Sequence, residues 1–226
     1  VQVMRSNIPY ESIDMVITSP PYDNLRDYNG YNFDYKTMLN EIYRVLKQGG
    51  VCVWVVGDST INGSETGTSF KHALYSIDIG FNLHDTMIYA KDSPSYPASS
   101  QSVRYPQVLE YMFVFAKGVP ITSNILCDRK NKWGGHTTYG SVSGRLQNGD
   151  LIQGKKIQVS EYGARYNIWN INTGYKKSTK DDVAYQHPAI FPEQLAKDHI
   201  LTWSNVGDIV LDPMCGSGTS CKMAKE

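Results

Sequence analysis

The sequence contains no apolar run long enough to cross a membrane and no signal-peptide pattern at its start. Its four cysteines, Cys52, Cys127, Cys215 and Cys221, show no CxxC pairing, and its five histidines have no metal-ligand spacing. These absences argue against a membrane or secreted protein and against a metal site. They predict a reduced, cytoplasmic protein. The length of 226 residues, 41% of them hydrophobic, allows one large domain or one domain with an insertion.

The net charge is zero, with 22 basic and 22 acidic residues, so the overall charge gives no argument for a nucleic-acid partner. The distribution is uneven, because residues 129–180 carry ten basic residues against two acidic ones. The ten are Arg129, Lys130, Lys132, Arg145, Lys155, Lys156, Arg165, Lys176, Lys177 and Lys180. Aromatic residues that could stack on bases lie between them: Trp133, Tyr139, Tyr162, Tyr166, Trp169 and Tyr175. The segment is typical of a phosphate-contacting surface, although a solvated loop with excess lysine has the same composition.

A strand that ends at two prolines forms the first motif. The apolar, β-branched run 13–17 leads into Thr18, Ser19, Pro20, Pro21 and Tyr22. Because proline lacks an N–H and fixes φ, the backbone beyond the strand is stiff. The Ser19 hydroxyl and the Pro20 carbonyl could hold the hydrogens of an exocyclic amino group, while Tyr22 could stack on the base that carries it. A simple proline turn after a strand is the alternative interpretation.

Helices and strands alternate after this motif. Asp34 is a good N-cap for a helix that runs to Lys47 and is stopped by Gly49 and Gly50, and residues 51–56 form a continuous buried strand. A second helix is predicted with four apolar residues facing inward: Phe70, Ala73, Leu74 and Ile77. Strands at 81–90 and 108–116 have no helix between them and are expected to pair antiparallel. The alternation predicts a right-handed, doubly wound α/β sheet.

The last part of the chain returns to this pattern. A helix is predicted over 193–203, begun by Pro192, and a strand over 209–211. The strand leads into Asp212 and then the glycine-rich stretch 216–219, which opens another helix. Such a turn lets a ligand approach the backbone. It lacks the Gly-Lys-Ser/Thr ending of a phosphate loop and the third glycine of the dinucleotide fingerprint. Asp212 can hold the charged amine of an amino-acid-like ligand.

Together these stretches resemble the β-group of S-adenosylmethionine-dependent DNA amino-methyltransferases. That family carries an (S/N/D)PP(Y/F/W) catalytic motif, a target recognition region, a His-Pro-Ala-x-Phe-Pro-like helix start and a DPxxGSGT cofactor turn, in that order. Here these are residues 19–22, the basic insert, residues 187–192 and residues 212–219. The resemblance implies a doubly wound, Rossmann-like methyltransferase sheet with a circularly permuted motif order and an inserted, irregular target recognition region. It divides the chain into a catalytic half at 1–118, a recognition insert at 119–185 and a cofactor-binding part at 186–226.

The resemblance also implies roles for individual residues. The catalytic residues would be Ser19, Pro20, Pro21 and Tyr22. S-adenosylmethionine would be bound by Asp212, Pro213, Met214, Gly216, Ser217, Gly218 and Thr219, with Pro188, Phe191 and Pro192 near its methionine end. DNA would be contacted by nine of the ten basic residues, those from Arg129 to Lys177. Asp58, which follows a strand, is a further candidate for the site, with a plain turn residue as the equal alternative.

The implied partner is double-stranded DNA, and the implied location is the cytoplasm, for a protein that is bacterial or phage-encoded. A cognate restriction endonuclease and a homodimer are further candidates. The serine of the first motif favours cytosine N4 over adenine N6 as the target. Ring-carbon methylation would need a nucleophilic cysteine after a proline. None of the four cysteines follows a proline, and Cys215 and Cys221 are predicted to pack in the cofactor helix.

Two departures from the family pattern leave alternatives open. Met214 stands where the family usually has phenylalanine, and the chain ends at Glu226, before two further strands of the family, so we expect a trimmed sequence. An RNA or protein methyltransferase of the same fold is one alternative. A catalytically degenerate DNA-binding remnant is the other.

Overall fold

The computed structural model describes residues 1–21, 33–94, 101–138, 142–154, 156–174, 176–182, 184 and 190–226. Within those ranges it has five α-helices: α1 Gln2–Asn7, α2 Tyr35–Val45, α3 Thr68–Asp78, α4 Glu193–Trp203 and α5 Thr219–Lys225. No helix in these parts of the chain is long and apolar enough to span a membrane.

The strands of the described residues form one large sheet and four small pairs. In chain order they are β1 Ile13–Thr18, β2 Leu46–Val56, β3 Thr60–Ile61, β4 Ser64–Glu65, β5 Asn82–Ala90, β6 Leu109–Ala116, β7 Arg129–Lys130, β8 Thr137–Thr138, β9 Val142–Arg145, β10 Leu151–Gln153, β11 Ile157–Gln158, β12 Tyr162–Gly163, β13 Ile168–Asn170 and β14 Val210–Leu211.

The large sheet has the order β13-β5-β6-β2-β1-β14. β1 pairs in parallel with both β2 and β14, and β5 pairs in parallel with β13. β6 is antiparallel to β2 and to β5, which confirms the antiparallel pair predicted from the missing helix between strands 81–90 and 108–116. The carboxyl ends of β1, β2 and β14 therefore meet at one edge of the sheet.

Both faces of the sheet are covered by helices. Alternate residues of β1 and β2 point to opposite faces: Met15 and Val53 pack with α4 and α5, whereas Val16 and Trp54 pack with α1, α2 and α3. The residues of β2 from Val51 to Val56 are all buried, as the continuous apolar run predicted. This two-sided core is the doubly wound α/β architecture expected from the sequence.

Helix α2 starts as predicted and ends earlier. The side chain of Asp34 caps it by accepting the Thr37 N–H at 3.1 Å. The helix ends at Val45, so the prediction that it extends to Lys47 was wrong. The reason is strand pairing: Leu46 is already extended and pairs with Ile13 of β1, so the two glycines lie inside β2.

A buried lysine donates hydrogen bonds to backbone carbonyls at the end of α2. Lys117 is 1% exposed, and its ammonium donates to the carbonyls of Tyr43 and Leu46 at 2.9 and 3.0 Å. It also forms an ion pair with Glu11 at 3.0 Å and lies 4.7 Å from the ring centroid of Tyr10. The charge thus has two carbonyls, a carboxylate and an aromatic ring as partners. A charged group can be buried when it is paired and hydrogen-bonded in this way.

Helix α3 buries its polar side, contrary to the prediction. Ala73 is buried, but Phe70, Leu74 and Ile77 are 53%, 63% and 43% exposed, so their inward placement was wrong. The buried residues are otherwise Thr68, Ser69, His72 and Ser76. Two buried groups, one in β2 and one just after its end, explain this orientation. Trp54 donates its ring N–H to His72 at 3.2 Å, and Asp58 accepts from Ser69.

The chain divides into two compact units. One contains residues Val1–Asn124 and Asn167–Glu226, and the other contains Ile125–Tyr166. The smaller unit is built from the short antiparallel pairs β7/β12, β8/β11 and β9/β10. Of the predicted 119–185 insert, residues 125–166 therefore form a body of their own, whereas 119–124 and the part after Tyr166 belong to the larger unit.

Candidate active site

The two sequence motifs meet at the carboxyl edge of the sheet. β1 and β14 are parallel neighbours with Met15 opposite Val210 and Val16 opposite Leu211, so both strands leave the sheet side by side. The hydroxyl of Thr18, the last residue of β1, donates to Oδ1 of Asp212 at 2.6 Å. The serine–proline corner, residues 19–21, thus begins one residue from a group that touches the Asp212 carboxylate.

Asp212 is held by three donors. Besides Thr18, the Met214 N–H donates to Oδ1 at 3.0 Å and the Ser220 hydroxyl donates to Oδ2 at 2.6 Å. Burial raises the pKa of Asp212 above 3.8, and these hydrogen bonds only partly offset it. The charged form of the carboxylate is therefore disfavoured when no ligand is bound. A cationic amine placed beside it would relieve that cost, as the sequence suggested.

The glycine turn, residues 215–218, exposes its backbone. Gly216 and Gly218 have φ values of 50° and 84°, and no atom lies within 4 Å of where a Cβ on Gly218 would be. The turn is closed by the Gly218 N–H donating to the carbonyl of Cys215 at 2.7 Å, and α5 starts directly after it. Left-handed φ values favour glycine, and the open space fits a ligand that approaches the main chain, as S-adenosylmethionine would.

Helix α4 brings a third segment to this edge. Pro192 is buried at the N-cap position of α4, and Phe191 is half-buried against the core on the α4–α5 face. Glu193 accepts from the Thr179 hydroxyl at 2.5 Å and from the Lys222 ammonium of α5 at 2.7 Å. This carboxylate ties the start of α4 to the helix that follows the glycine turn.

Glu193 gives a stability prediction. Burial raises the pKa of Glu193, but the bonds from Lys222 and Thr179 outweigh burial, so the net pKa lies below 4.5. A lowered carboxylate pKa stabilises the folded state above the unfolded-state pKa, and the contribution is lost as the pH falls through the folded pKa. We expect Glu193→Gln to lower the free energy of unfolding by about 1 kcal/mol at pH 7 and by progressively less below pH 4.5.

Urea unfolding of the variant and the parent between pH 3 and pH 7 measures this difference. The exposed Glu65 supplies the matched control, since Glu65→Gln removes a charge of the same type in the small β3/β4 pair. A loss that stays constant over the whole pH range would contradict an electrostatic role for Glu193.

Asp58 lies at the same edge but holds a helix. It is buried after the end of β2, and its carboxylate accepts the backbone N–H of Ser69 at 3.0 Å and also the Ser69 hydroxyl. Ser69 is in the first turn of α3, where N–H groups lack partners inside the helix. This geometry supports the turn-residue alternative for Asp58.

The predicted DNA-contacting residues are divided between the two units. Within the described residues, the Ile125–Tyr166 unit holds Arg129, Lys130, Lys132, Arg145, Lys156 and Arg165. Lys176 and Lys177 belong to the larger unit, where Lys177 forms an ion pair with Asp92 at 3.0 Å. Three predicted site residues, Tyr22, Lys155 and Pro188, lie outside the described residues.

Cations in the smaller unit lie against aromatic rings. The guanidinium carbon of Arg129 is 4.5 Å from the ring centroid of Tyr166, and the Lys132 ammonium is 5.5 Å from that of Trp133. Trp133 and Tyr166 remain 62% and 66% exposed. By sequence this unit has seven basic residues against three acidic ones. Its surface therefore combines positive charge with exposed rings, the two components of nucleic-acid surfaces.

Two hydroxyl residues of the site were missed by the sequence analysis. Thr18 and Ser220 both donate to Asp212, one from the end of β1 and one from α5. Their positions, directly before the serine–proline motif and eight residues after Asp212, are the signal that could have indicated them. The packing predicted for Cys215 and Cys221 was wrong, because both are exposed, whereas Cys52 is buried in the core.

Comparison with known proteins identifies the family. The family model described as DNA methylase matches residues 13–226. The orphan methyltransferase M.BamHII of Bacillus amyloliquefaciens is 56% identical over 222 residues, which cover 98% of this chain and 83% of that protein. Two solved structures share the fold. PvuII DNA methyltransferase (cytosine-N4-specific) has a TM-score of 0.68 and 20% sequence identity, and the match covers 97% of this chain and 73% of that one. The M1.HpyAVI–SAM complex has a TM-score of 0.57 and 19% identity, and the match covers 99% of this chain and 81% of that one. The chain belongs to the N6/N4 DNA methylase family of S-adenosylmethionine-dependent methyltransferases.

Proposed function

We propose that this chain transfers a methyl group from S-adenosylmethionine to the exocyclic amino group of a base in duplex DNA, with cytosine N4 favoured over adenine N6. The hydrogen bond between Thr18 and Asp212 carries the proposal. It joins the corner that would hold the base to the turn that would hold the cofactor, on adjacent parallel strands. Direct transfer requires these two groups to lie side by side.

The serine–proline corner is assigned to the reacting nitrogen. The lone pair of an exocyclic amino group is delocalised into the ring, which makes the nitrogen a weak nucleophile. The Ser19 hydroxyl and the Pro20 carbonyl, accepting its hydrogens, would favour a pyramidal nitrogen and stabilise the positive charge that develops during transfer. A base in a duplex cannot reach this corner, so the proposal includes flipping of the target nucleotide. Stacking by Tyr22 stays a prediction.

The glycine turn and Asp212 are assigned to the cofactor. When bound, S-adenosylmethionine supplies an electrophilic methyl group on a sulfonium ion. Asp212 would accept from its amino group, because Oδ2 has a single donor, Ser220, among the contacts described above. The open space at Gly218 admits the ligand against the backbone, and Phe191 and Pro192 would lie near its methionine end. Met214 would pack in place of the phenylalanine usual in the family.

Product analysis tests the reaction and the target together. The protein is incubated with S-adenosylmethionine and unmethylated duplex DNA. The DNA is then digested to nucleosides, which are separated and identified by mass spectrometry. The serine at position 19 and the fold shared with an enzyme named cytosine-N4-specific lead us to expect N4-methylcytosine. N6-methyladenine would overturn the base preference alone. C5-methylcytosine would contradict the mechanism, and preferential labelling of RNA would favour the RNA alternative.

The Ile125–Tyr166 unit is proposed as the main DNA-recognition surface. Its excess of basic residues and its exposed Trp133 and Tyr166 support this role. A cognate restriction endonuclease and a homodimer stay predictions, and methyl transfer by the residues named above needs neither of them.

Salt dependence tests this surface. We expect the double variant Lys155→Ala/Lys156→Ala to lower the slope of log K for DNA against log salt by about 2, because each phosphate contact releases about one counterion. Binding is measured by fluorescence anisotropy at several salt concentrations. The matched control removes two lysines of the larger unit, Lys36 and Lys71, and should leave the slope unchanged. An unchanged slope in the Lys155/Lys156 variant would contradict their assignment to DNA.

A further inference from the structure

The segment that leads into β6 presents two hydrophobic side chains to solvent. Residues 101–107 are exposed throughout. Within them, Val103 is 98% exposed and Tyr105 is 99% exposed. Single exposed hydrophobic residues are common on protein surfaces, so the place and the surroundings of these two decide what they can do.

The sheet topology puts this segment at the same edge as the serine–proline corner. β6 is antiparallel to β2 and to β5, so β5 runs in the same direction as β2 and β1. The connection from the end of β5 to the start of β6 therefore lies at the carboxyl edge. Only β2 separates β6 from β1, so the start of β6 lies about 10 Å along this edge from the end of β1.

The segment is tied to the protein on its inner side. The Arg104 guanidinium, between the two exposed side chains, donates to the carbonyl of Gly63, in the turn between β3 and β4. Where the connection meets the sheet, the Lys91 N–H donates to the carbonyl of Val108 at 2.7 Å. The backbone is thus held at two points, while the two hydrophobic side chains on either side of Arg104 face water.

The charge of the segment indicates the kind of partner. Residues 101–107 contain one cation, Arg104, and no acidic residue. A guanidinium has five N–H groups, so those that do not contact Gly63 can donate to a phosphate. An exposed aromatic ring beside a cation is the combination found on surfaces that bind nucleic acids. Duplex DNA, the substrate of the proposed reaction, therefore fits this segment.

We propose that Val103 and Tyr105 enter the duplex and fill the gap that the flipped target base leaves. Extruding a base costs the stacking energy it had in the helix, and inserted hydrophobic side chains can occupy an opened base step. The ring of Tyr105 stacks on the bases beside the gap, and Val103 packs next to it. This role rests on the proposed function, because base flipping is part of it. Tyr105 is a positioning residue here, since it stabilises the extruded state without touching the reacting atoms.

Tyr105→Ala should slow methyl transfer because fewer complexes hold the base in the extruded state. We expect the single-turnover rate on duplex DNA to fall about tenfold, the effect of losing one stack between a base and an aromatic ring. Tyr105→Phe should keep the parent's rate, because stacking needs the ring and not the hydroxyl.

A second valine supplies a matched control. Val206 is also almost fully exposed, but it precedes β14 and so lies at the opposite, amino edge of the sheet. Val103→Ala should lower the rate, by less than Tyr105→Ala does, whereas Val206→Ala should leave it unchanged. Because these side chains are exposed, none of the substitutions should lower the temperature of thermal unfolding.

A mismatch at the target base separates gap filling from ordinary DNA contact. The recognition duplex is obtained by mapping the positions that the parent methylates, and a second duplex carries a mismatch opposite the target base. A mismatched base costs less to extrude, so the mismatch should restore most of the rate lost in Tyr105→Ala. In a third duplex, 2-aminopurine replaces the target base. Its fluorescence should rise when the parent binds and should rise less with Tyr105→Ala.

Three results would overturn the role of Tyr105 while the parent remains active. One is a Tyr105→Ala rate equal to that of the parent on the matched duplex. Another is a loss of the same size on both duplexes, which would make the segment a plain contact surface. The third is a changed number of subunits with an unchanged rate, which would assign the segment to a second copy of the chain. A parent that methylates no DNA would overturn the proposed function, and this role with it.

Discussion

Ser19→Ala is expected to slow methyl transfer by about a hundredfold or more, while the affinities for DNA and for S-adenosylmethionine change little. The hydroxyl is assigned to accept a hydrogen of the amino group where positive charge develops. Removing one such preorganised partner typically costs about 3 kcal/mol of transition-state stabilisation. Because the interaction strengthens only as the methyl group is transferred, the loss should appear in kcat and not in binding.

A serine at the other end of the same strand supplies the control for this variant. Ser12 precedes β1 and its hydroxyl donates to the carbonyl of Pro9 at 2.9 Å, away from the carboxyl edge of the sheet. Single-turnover rates of Ser12→Ala should equal those of the parent. A Ser19→Ala rate within a few-fold of the parent would contradict the role assigned to the serine–proline corner.

Asp212→Asn is expected to weaken the binding of S-adenosylmethionine without destabilising the folded protein. Asparagine has nearly the same shape and can keep accepting from Thr18 and the Met214 N–H through its carbonyl oxygen, while the Ser220 hydroxyl can rotate to accept from the new amide. It cannot attract the charged amine of S-adenosylmethionine. We expect the affinity for S-adenosylmethionine, measured by calorimetry, to fall on the order of ten- to a hundredfold.

The stability of the same variant should move in the opposite direction. The pKa of Asp212 is raised above 3.8 by burial, so the folded state binds its proton more tightly than the unfolded state does. The parent therefore loses stability as the pH rises from about 4 through the folded pKa of this group. Asp212→Asn lacks that loss and should be as stable as the parent or more stable at pH 7. If the variant unfolds at a temperature well below that of the parent at pH 7, the carboxylate stabilises the folded state.

The parts of this structure that follow from local pattern were predictable. The Asp34 cap, the buried run of β2 and the antiparallel pairing of β5 with β6 are confirmed because each is set by neighbouring residues. The placement of both motifs after strands was also readable from the chain. The proposed methyl transfer requires the two motifs to lie side by side, and the parallel pairing of β1 with β14 meets that requirement.

The predictions that failed concern features that depend on residues distant in the sequence. The outward placement of Phe70, Leu74 and Ile77 follows from buried polar groups, Trp54 and Asp58, that need His72 and Ser69 as partners. No periodicity within α3 reveals that requirement. The early end of α2 has a similar cause, since Leu46 pairs with Ile13 of β1. Lys117, which secures the end of that helix, comes 71 residues after Leu46 in the chain.

The contact between Thr18 and Asp212 spans 194 positions of the chain and sets the order of assembly during synthesis. A ribosome synthesises β1 before, and β14 after, the other strands of the large sheet, so one side of β1 stays an unpaired strand edge until β14 emerges. Unpaired edges invite association with other chains. A newly made molecule should therefore acquire both its enzymatic centre and its protection from aggregation in the same late event, when residues 210 and 211 leave the exit tunnel.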